Sequence, residues 1–352
     1  MNRAETRESP FGLRGVAAGD IWRLILGVGL LLSLGVVAWS TVNDFARDKV
    51  LAIAGDRIHV MAAAREKAIE LHLRGFERVL QGLGYSPSLS ALSTNTPDAA
   101  PVDVRLRNRD AIERWFMSLM DTENLLRQLR IIGADNGREL IRVERRDGRA
   151  YAVRGEALQD KSDRDYVRET LALPAMATRL SEIELNRERG ELETPVWPTL
   201  RASMPLFDAQ GKVFGMVVIN YDASSLISPP ANTDALKLRY HVLNGDGEFL
   251  THPDPTMAFA FEYGASRRWD DLYPAAVDSV WHRSSDESNS DLTAYEMDGE
   301  IVVGTHKSVR LAQSGDTYVD LAITTSPSWL DTSLVEYRRK YAIAAVSIWL
   351  LC

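Results

Sequence analysis

The side chains best suited to catalysis or metal binding are six histidines, and their spacing is not that of a common catalytic or metal centre. The chain has no HExxH pair, which holds zinc in metalloproteases. It also has no GxSxG, P-loop or GxGxxG motif, so the loops that bind oxyanions and phosphates are missing. His252 stands in the sequence His-Pro-Asp-Pro, which a turn explains better than a metal ion does. We therefore expect no catalytic residue, no metal and no cofactor, and the chemistry left open is ligand binding.

Composition narrows the classes of partner. Hydrophobic residues make up 45% and charged residues 26% of the 352 residues, as in a folded protein, and at about 150 residues per domain this length predicts at least two domains. A formal net charge of −8 argues against nucleic acid, because no basic excess displaces counterions. Cys352 is the single cysteine, which excludes disulfides and cysteine-based zinc sites. The segment Gly245–Phe249 has the composition of the GGDEF signature of diguanylate cyclases but the wrong order, and we interpret it as a turn.

The two ends of the chain carry its longest apolar runs. Residues 21–41 have the length of a transmembrane helix, with a tryptophan near each end. A cleaved signal peptide is the alternative, although its apolar region is usually only about 7–15 residues long. Residues 337–352 join a basic cluster to a short apolar run, which predicts the start of a second, truncated transmembrane helix of a longer membrane protein. Residues 1–20 are then a cytoplasmic tail, and residues of about 43–337 lie in the periplasm, outside the inner membrane.

Between these ends the period of the apolar residues changes from helical to strand-like. Residues 44–124 are predicted to contain a long stalk helix, 44–83, and a shorter helix, 107–120. After them, Asn136-Gly137 and Asp147-Gly148 supply the positive φ angles of two-residue hairpin turns. Alternating apolar residues on both sides of these turns predict antiparallel strands.

Two segments, 125–228 and 236–330, are interpreted as tandem modules, because IIGADNGREL in the first is echoed by VLNGDGEFL in the second. In the first module we predict a helix over 162–173, capped by Ser162 or Asp163. In the second, 301–307 and 309–311 are predicted as separate strands. The predicted fold class is α+β: a long N-terminal stalk helix and two tandem antiparallel-sheet modules, flanked by transmembrane helices.

Several of these segments resemble one known family. The stretch 158–170, LQDKSDRDYVRET, is similar to its Arg-x-aromatic helix, Trp197–Arg201 and Gly215–Asn220 are similar to its closing strands, and Leu243–Leu250 looks like the start of its second module. The family is the double Cache (PDC, tandem PAS-like) extracellular sensor domain of bacterial histidine kinases, diguanylate cyclases and chemoreceptors, with the Vibrio-type histidine kinase sensors as the nearest subgroup. The resemblance covers residues of about 44–335.

The resemblance implies a ligand pocket between the sheet and the flanking helix of the membrane-distal module. Its ligand-binding residues are expected to be Arg142, Arg164, Tyr166, Arg201 and Asn220. A guanidinium is a rigid donor fork that suits a carboxylate or phosphate, so the ligand is expected to be small and anionic. The alternative is that the arginines pair on the surface with nearby glutamates, namely Glu139, Glu144, Glu169, Glu182 and Glu184.

Departures from the family pattern argue against an ordinary amino acid as ligand. Amino-acid-binding members carry a Trp-Tyr pair and a later aspartate, whereas this chain has Asp165-Tyr166 and, near the aspartate position, Asn220. An α-ammonium group would therefore lack its usual counter-ion.

These observations predict the non-enzymatic input region of a bacterial receptor. It is expected to bind a small molecule, to form a homodimer through its stalk helices, and to signal to a histidine kinase or diguanylate cyclase output domain. The alternative is a receptor domain that docks a periplasmic binding protein and leaves its own pocket empty.

Overall fold

The computed structural model of the chain describes residues 18–86, 89, 92, 102–275, 292–311, 317–326 and 328–351. The chain divides into two compact units: residues 1–52 together with 331–352, and residues 53–330. Most of the predicted tail, 1–20, and most of the predicted helical and loop region, 265–290, lie outside the described residues.

The longest element is helix α1, Ala18–Gly84. Near its start it contains an 18-residue window with a mean hydropathy of 2.1, none of it buried, so it is long and apolar enough to cross a membrane; it is the one such helix in the described part of the chain. The predicted second membrane segment falls in a helix over Trp329–Leu351. Within the first unit, the rings of Phe45 and Tyr341 lie 6.1 Å apart.

Helix α2, Val102–Thr122, precedes the first of two antiparallel sheets. This distal sheet has six strands in the order β3-β2-β1-β8-β7-β4. Its strands are β1 Leu126–Gly133, β2 Glu139–Arg146, β3 Arg149–Val153, β4 Arg179–Leu185, β7 Pro198–Phe207 and β8 Val213–Asp222. Asp147 and Gly148 both have positive φ and make the predicted two-residue turn between β2 and β3. A separate two-stranded hairpin, β5 Arg187–Glu188 and β6 Glu191–Leu192, follows β4.

One face of the distal sheet packs against α1. Tyr221 of β8 is buried there, with its ring stacked on Phe76 at 3.6 Å between centroids. Its hydroxyl donates a hydrogen bond to the backbone carbonyl of Phe76 at 3.3 Å. The opposite face of the sheet is covered by the short helix α3, Asp165–Leu171, and by the loops beside it.

The proximal sheet has five strands in the order β10-β9-β13-β12-β11. Its strands are β9 Leu238–Leu243, β10 Phe249–Thr251, β11 Thr293–Met297, β12 Glu300–Arg310 and β13 Tyr318–Thr325. Arg65 of α1 joins this sheet to the end of the distal module, because it donates to the hydroxyl of Tyr240 at 3.0 Å and to the backbone carbonyls of Ser225 and Leu226. The α+β architecture predicted from the sequence is confirmed.

Two local predictions are wrong. Residues 301–310 belong to one strand, β12, which pairs with β13 without interruption from Gly304 to Arg310, with Ser308 opposite Asp320. Helix α3 begins at Asp165 with Arg164 as its N-cap residue, not at Ser162 or Asp163. The chain before it is held in an Asx turn, in which Asp160 accepts from the amide of Ser162, and by the bond from the amide of Lys161 to the carbonyl of Gly137.

The contact between Gly137 and this segment is close. Gly137 has φ of +62°, and a Cβ atom there would lie 2.5 Å from Cα of Ser162. Only glycine therefore lets residues 159–161 lie along the start of β2, where the amide of Glu139 donates to the carbonyl of Gln159 at 2.9 Å.

Candidate ligand-binding site

Strand register brings polar side chains together on the α3 face of the distal sheet. Residues paired directly across antiparallel strands point to the same face. One such row is Arg201 of β7, Asn220 of β8, Gln128 of β1 and Glu144 of β2. The next row on this face contains Arg130 of β1 opposite Arg142 of β2.

Helix α3 covers the apolar half of the same face. Val167 packs against Ile132, Met216 and Val218, with Tyr166 at the edge of this cluster. The hydroxyl groups of Thr170 and Ser203 are 2.7 Å apart, which ties the helix to β7. The first turn of α3 is therefore fixed beside the polar half of the sheet.

A cavity of about 460 Å³ opens between this helix and the sheet. We call it the distal cavity. It is lined by six cationic side chains, Arg130, Lys161, Arg164, Arg179, Arg187 and Arg201, and by four carboxylates, Asp163, Asp165, Glu182 and Glu184. Its volume is within the range of small-molecule sites, about 300–1,000 Å³. Its balance of charge favours an anion.

At the rim of the distal cavity, Arg201 lies over the ring of Tyr166, with its guanidinium carbon 4.8 Å from the ring centroid. Arg201 also donates to Glu184 at 2.8 Å. Its Nε and the hydroxyl of Tyr166 are buried and have no hydrogen-bond partner among the described residues. Both groups are thus removed from water with their hydrogen bonding incomplete.

Beneath the cavity lies a set of charged and amide side chains that we call the buried network: Gln128, Arg130, Glu139, Arg142, Glu144, Gln159, Lys161 and Glu188. Arg130 Nε is 3.1 Å from Glu139, and Arg130 Nη2 is 2.7 Å from Glu188. Arg142 is ion-paired with Glu139, Glu144 and Glu188. Most of these groups are removed from water, so each charge depends on its partners.

The network sets the charge states of its members. Burial alone would favour the neutral form of Glu188, but Arg130 and Arg142, with hydrogen bonds from two glutamines, lower its pKa to about 2. Burial, together with Arg130, lowers the pKa of Lys161 to about 8, although Glu188 and Glu139 oppose this. Burial also acts against charge on Arg142, and three carboxylates outweigh it and raise the pKa of Arg142.

The five residues expected at the site fall into two groups. Arg164, Tyr166 and Arg201 line the distal cavity. Asn220 is buried on the same face, where it donates to Gln128 at 2.9 Å and to Asn186 at 3.1 Å, and its Oδ1 has no partner among the described residues. Arg142 belongs to the buried network and does not line the cavity.

The alternative of surface ion pairs does not describe Arg142, because the side chains of Arg142, Glu139 and Glu144 are 5%, 0% and 6% exposed. Surface ion pairs do occur at the rim of the distal cavity. Arg201 pairs with Glu184, and Arg179 pairs with Glu169, and both glutamates are half-exposed.

Sequence reasoning missed Gln128, Arg130, Lys161 and Glu188. The first two had a signal, since Gln128 and Arg130 alternate with apolar residues in the buried strand Leu126–Gly133 and so share one face. Glu188 had none, because its position depends on how a two-residue strand outside the sheet folds back onto it.

The proximal module holds the histidine cluster. His241 is buried between Phe249 and Trp269, and His252 is hydrogen-bonded to the hydroxyl of Tyr273 at 2.8 Å. Within the residues that the structure describes, no three His, Cys, Asp or Glu side chains converge in an arrangement that could hold a metal ion.

Comparison with solved structures shows where this fold occurs. A domain of a sensory box/GGDEF family protein from Vibrio parahaemolyticus has a TM-score of 0.57 at 20% identity, over 80% of this chain and 99% of that chain. The extracellular domain of the histidine kinase vpHK1S-Z8 has a TM-score of 0.55 at 18% identity, over 84% and 95%. The ligand-binding domain of the Pseudomonas aeruginosa amino acid chemoreceptor PctC, in complex with GABA, has a TM-score of 0.50 at 14% identity, over 77% and 99%.

The expected resemblance to Cache-like sensors of histidine kinases, GGDEF proteins and chemoreceptors is confirmed. No curated protein is significantly similar in sequence to the chain. A family model described as "Bacterial histidine kinase, sensor domain" matches residues 102–309, more than half of the chain, and a sensor domain is not itself catalytic. The chain therefore belongs to the bacterial histidine kinase sensor domain family.

Proposed function

We propose that this chain is the membrane-anchored, extracytoplasmic input region of a signalling receptor, and that it binds a small anionic ligand in the distal module, 125–228. The observation that carries the proposal is the excess of cationic over acidic side chains around the distal cavity. Because Arg201 Nε and the hydroxyl of Tyr166 are buried without partners among the described residues, a ligand oxygen there would complete their hydrogen bonding.

The same groups favour a carboxylate over a simple amine. Arginine presents a planar donor fork that matches a carboxylate in two bonds. Asn220, near the position where amino-acid sensors of this type carry an aspartate, is neutral and already donates to Gln128 and Asn186. GABA, which the PctC domain holds, also has a carboxylate group. We therefore expect carboxylates, and acids without an α-ammonium group in particular, to be the strongest ligands.

Two neighbouring residues of β8 connect the face of the distal sheet that lies beside the distal cavity to helix α1. Asn220 points to the polar face, and Tyr221, the next residue, stacks on Phe76 of α1. Further along the same helix, Arg65 contacts the proximal module at Tyr240. A ligand that changes the distal sheet would thus bias the position of α1. To shift two conformational states of the chain from a ratio of 1:99 to 99:1, the ligand must bind the favoured state about 10⁴-fold more tightly than the other state.

The remaining parts of the proposal concern placement and partners. Residues 21–41 and the segment from 337 onward anchor the chain in the inner membrane, and the intervening residues, with the proximal module 236–330, lie in the periplasm. Val60 and Leu71 of α1 are exposed, as a homodimer through the stalk helices requires. The output domain would be a histidine kinase or a diguanylate cyclase.

A ligand screen on the full chain in detergent tests the proposal. Carboxylates, amines and purines are added in turn, and the melting temperature is measured for the wild type, for Arg201→Gln and for Arg149→Gln. Arg149 is an exposed residue of β3 that does not line the distal cavity, and its variant carries the same charge as Arg201→Gln.

We expect a carboxylate to raise the melting temperature, and Arg201→Gln to weaken its binding by about tenfold or more, the usual effect of losing a charged hydrogen bond. Arg149→Gln should bind as the wild type does. If no small molecule changes the melting temperature, direct ligand sensing is wrong. Capture of a periplasmic binding protein that Arg164→Ala and Tyr166→Ala leave unchanged would then support the docking alternative.

A further inference from the structure

The hairpin β5–β6 places the carboxylate of Glu188 in the buried network beneath the distal cavity. The turn between its strands consists of Arg189 and Gly190, both with positive φ, so it is a compact two-residue hairpin outside the six-stranded sheet. Glu188, on the first strand, turns its side chain inward, where it is 19% exposed.

Both oxygens of the Glu188 carboxylate accept hydrogen bonds from side chains of the buried network. Oε1 accepts from Arg130 Nη2 at 2.7 Å and from Gln128 Nε2 at 2.8 Å, and lies 3.2 Å from Arg142 Nη2. Oε2 accepts from Gln159 Nε2 at 2.7 Å. Two guanidinium groups and two amides are the donor set that a bound carboxylate would be expected to have.

The side chains around Glu188 carry more positive than negative charge, since Arg146 also pairs with Glu144. Three cations of the buried network, Arg130, Arg142 and Lys161, face Glu139, Glu144 and Glu188. Glu139 and Glu144 are fixed on β2 of the sheet itself. Glu188 alone comes from outside the six-stranded sheet, and without it the excess of positive charge on these side chains is larger.

Two cavities reach the buried network, and Glu188 lines one of them. The distal cavity reaches the network at Arg130 and Lys161. A second cavity of about 530 Å³ reaches it from the other side, at Arg142, Gln159 and Glu188. A carboxylate that reached Arg130 from the distal cavity would therefore compete with Glu188 for the same guanidinium group.

The base of the hairpin is joined to the proximal module. Arg187 donates to Glu262 at 2.9 Å, and the backbone amide of Leu185 donates to the other oxygen of the same carboxylate at 2.9 Å. Glu262 lies in a 3-10 helix, Ala260–Tyr263, of the proximal module. A movement of the hairpin would therefore change the contacts of this helix.

We propose that Glu188 is a built-in substitute for the ligand's carboxylate: a ligand displaces it from Gln128, Arg130 and Arg142, releases the hairpin β5–β6, and alters the contact of the hairpin with Glu262. This inference rests on the proposed function and adds to it the ligand class, a carboxylate, and a route between the modules. Glu188 then also sets the affinity, because only the fraction of molecules with the hairpin released can bind.

The test uses acetate as the probe carboxylate and methylammonium chloride as the cationic control, at equal ionic strength. Acetate affinity is measured by calorimetry on the full chain in detergent for the wild type, Glu188→Ala and Glu191→Ala. Glu191 is the exposed cross-strand partner of Glu188 in the same hairpin, so its variant has the same net charge. Hydrogen exchange of residues 187–192 and 260–263 is followed with and without acetate.

We expect Glu188→Ala to bind acetate at least about tenfold more tightly than the wild type and Glu191→Ala, and methylammonium to have no effect. Residues 187–192 should exchange faster in Glu188→Ala, and also in the wild type saturated with acetate, with a change at 260–263. Equal acetate affinity in all three proteins, or hairpin exchange that acetate leaves unchanged, would overturn the inference. If Glu188→Ala does not fold, Glu188→Gln, which removes the charge and keeps the shape, is expected to give the same result.

Failure of the inference is distinguishable from failure of the proposed function. A wild-type chain that binds a carboxylate in an Arg201-dependent way while its hairpin stays protected would refute the role of Glu188 alone. Tight acetate binding by Glu188→Ala, with no small molecule bound by the wild type, would support the role of Glu188 and refute small-ligand sensing.

Discussion

Acid is expected to destabilise the proximal module through His241. This imidazole is fully buried on β9, with its ring centroid 5.4 Å from Trp269 and 5.3 Å from His252. Neither ring nitrogen has a hydrogen-bond partner of standard geometry among the described residues. Burial, with smaller contributions from His252 and Arg239, lowers the pKa of His241 from 6.5 to about 3.

The sign and size of this change in the free energy of unfolding follow from proton binding. Between the two pKa values the unfolded chain binds a proton at His241 and the folded chain does not, so the free energy of unfolding falls by about 1.4 kcal/mol per pH unit as the pH drops. The contribution of neutral His241 to stability is fully present above the pKa that this histidine has in the unfolded chain, and it is lost progressively below that pKa. From pH ~7.5 to ~5 the loss is about 2 kcal/mol. His252 and His306, whose pKa values burial also lowers, act in the same direction.

Urea unfolding of the full chain at several pH values measures this loss. The wild type is compared with His241→Leu, which has a similar volume and does not titrate. We expect the loss between the two pH values to be smaller by about 2 kcal/mol in His241→Leu. Equal losses in the wild type and His241→Leu would refute the assignment.

Further variants test the packing that positions the site, each by its free energy of unfolding. Arg142→Met leaves three carboxylates without their shared partner, and we expect a loss of about 3–5 kcal/mol; a loss below about 1 kcal/mol would contradict the buried network. Phe76→Ala removes the ring stacked on the distal sheet and should cost about 3–5 kcal/mol, whereas Gln81→Ala, at an exposed position of the same helix, should stay within about 0.5 kcal/mol. Gly137→Ala should cost at least about 1 kcal/mol more than Gly148→Ala, because both have positive φ but only Gly137 is in close contact with a neighbouring backbone. Equal costs for the two glycines would show that the segment before α3 moves freely.

Much of the fold could be predicted because it depends on local patterns. The turn at Asp147-Gly148 stands where it was predicted, between two antiparallel strands, because turn residues with positive φ and alternating apolar residues are local signals. Helix α3 was less well predicted. Its start is decided by the bond between Lys161 and Gly137, two residues that are distant in sequence.

The site could be predicted only in part. Arg164, Tyr166 and Arg201 were expected to lie together and do line one cavity, because they belong to a helix start and a strand whose resemblance to known sensors was recognisable. The pairing of Arg130 with Glu188 was not predictable. An ion pair between residues 58 positions apart has no signature in local sequence.

The sequence by itself determined the kind of molecule: the apolar run and long helical period of α1, the glycine turns, and the alternating strands of two modules follow from interactions between near neighbours along the chain. Only the tertiary structure decided which charges meet. Strand register placed Arg130 opposite Arg142, and the fold of a two-residue strand placed Glu188 between them. Electrostatic pairing depends on distances of a few ångströms in space, and these are set when the sheet, the hairpin and α3 pack together.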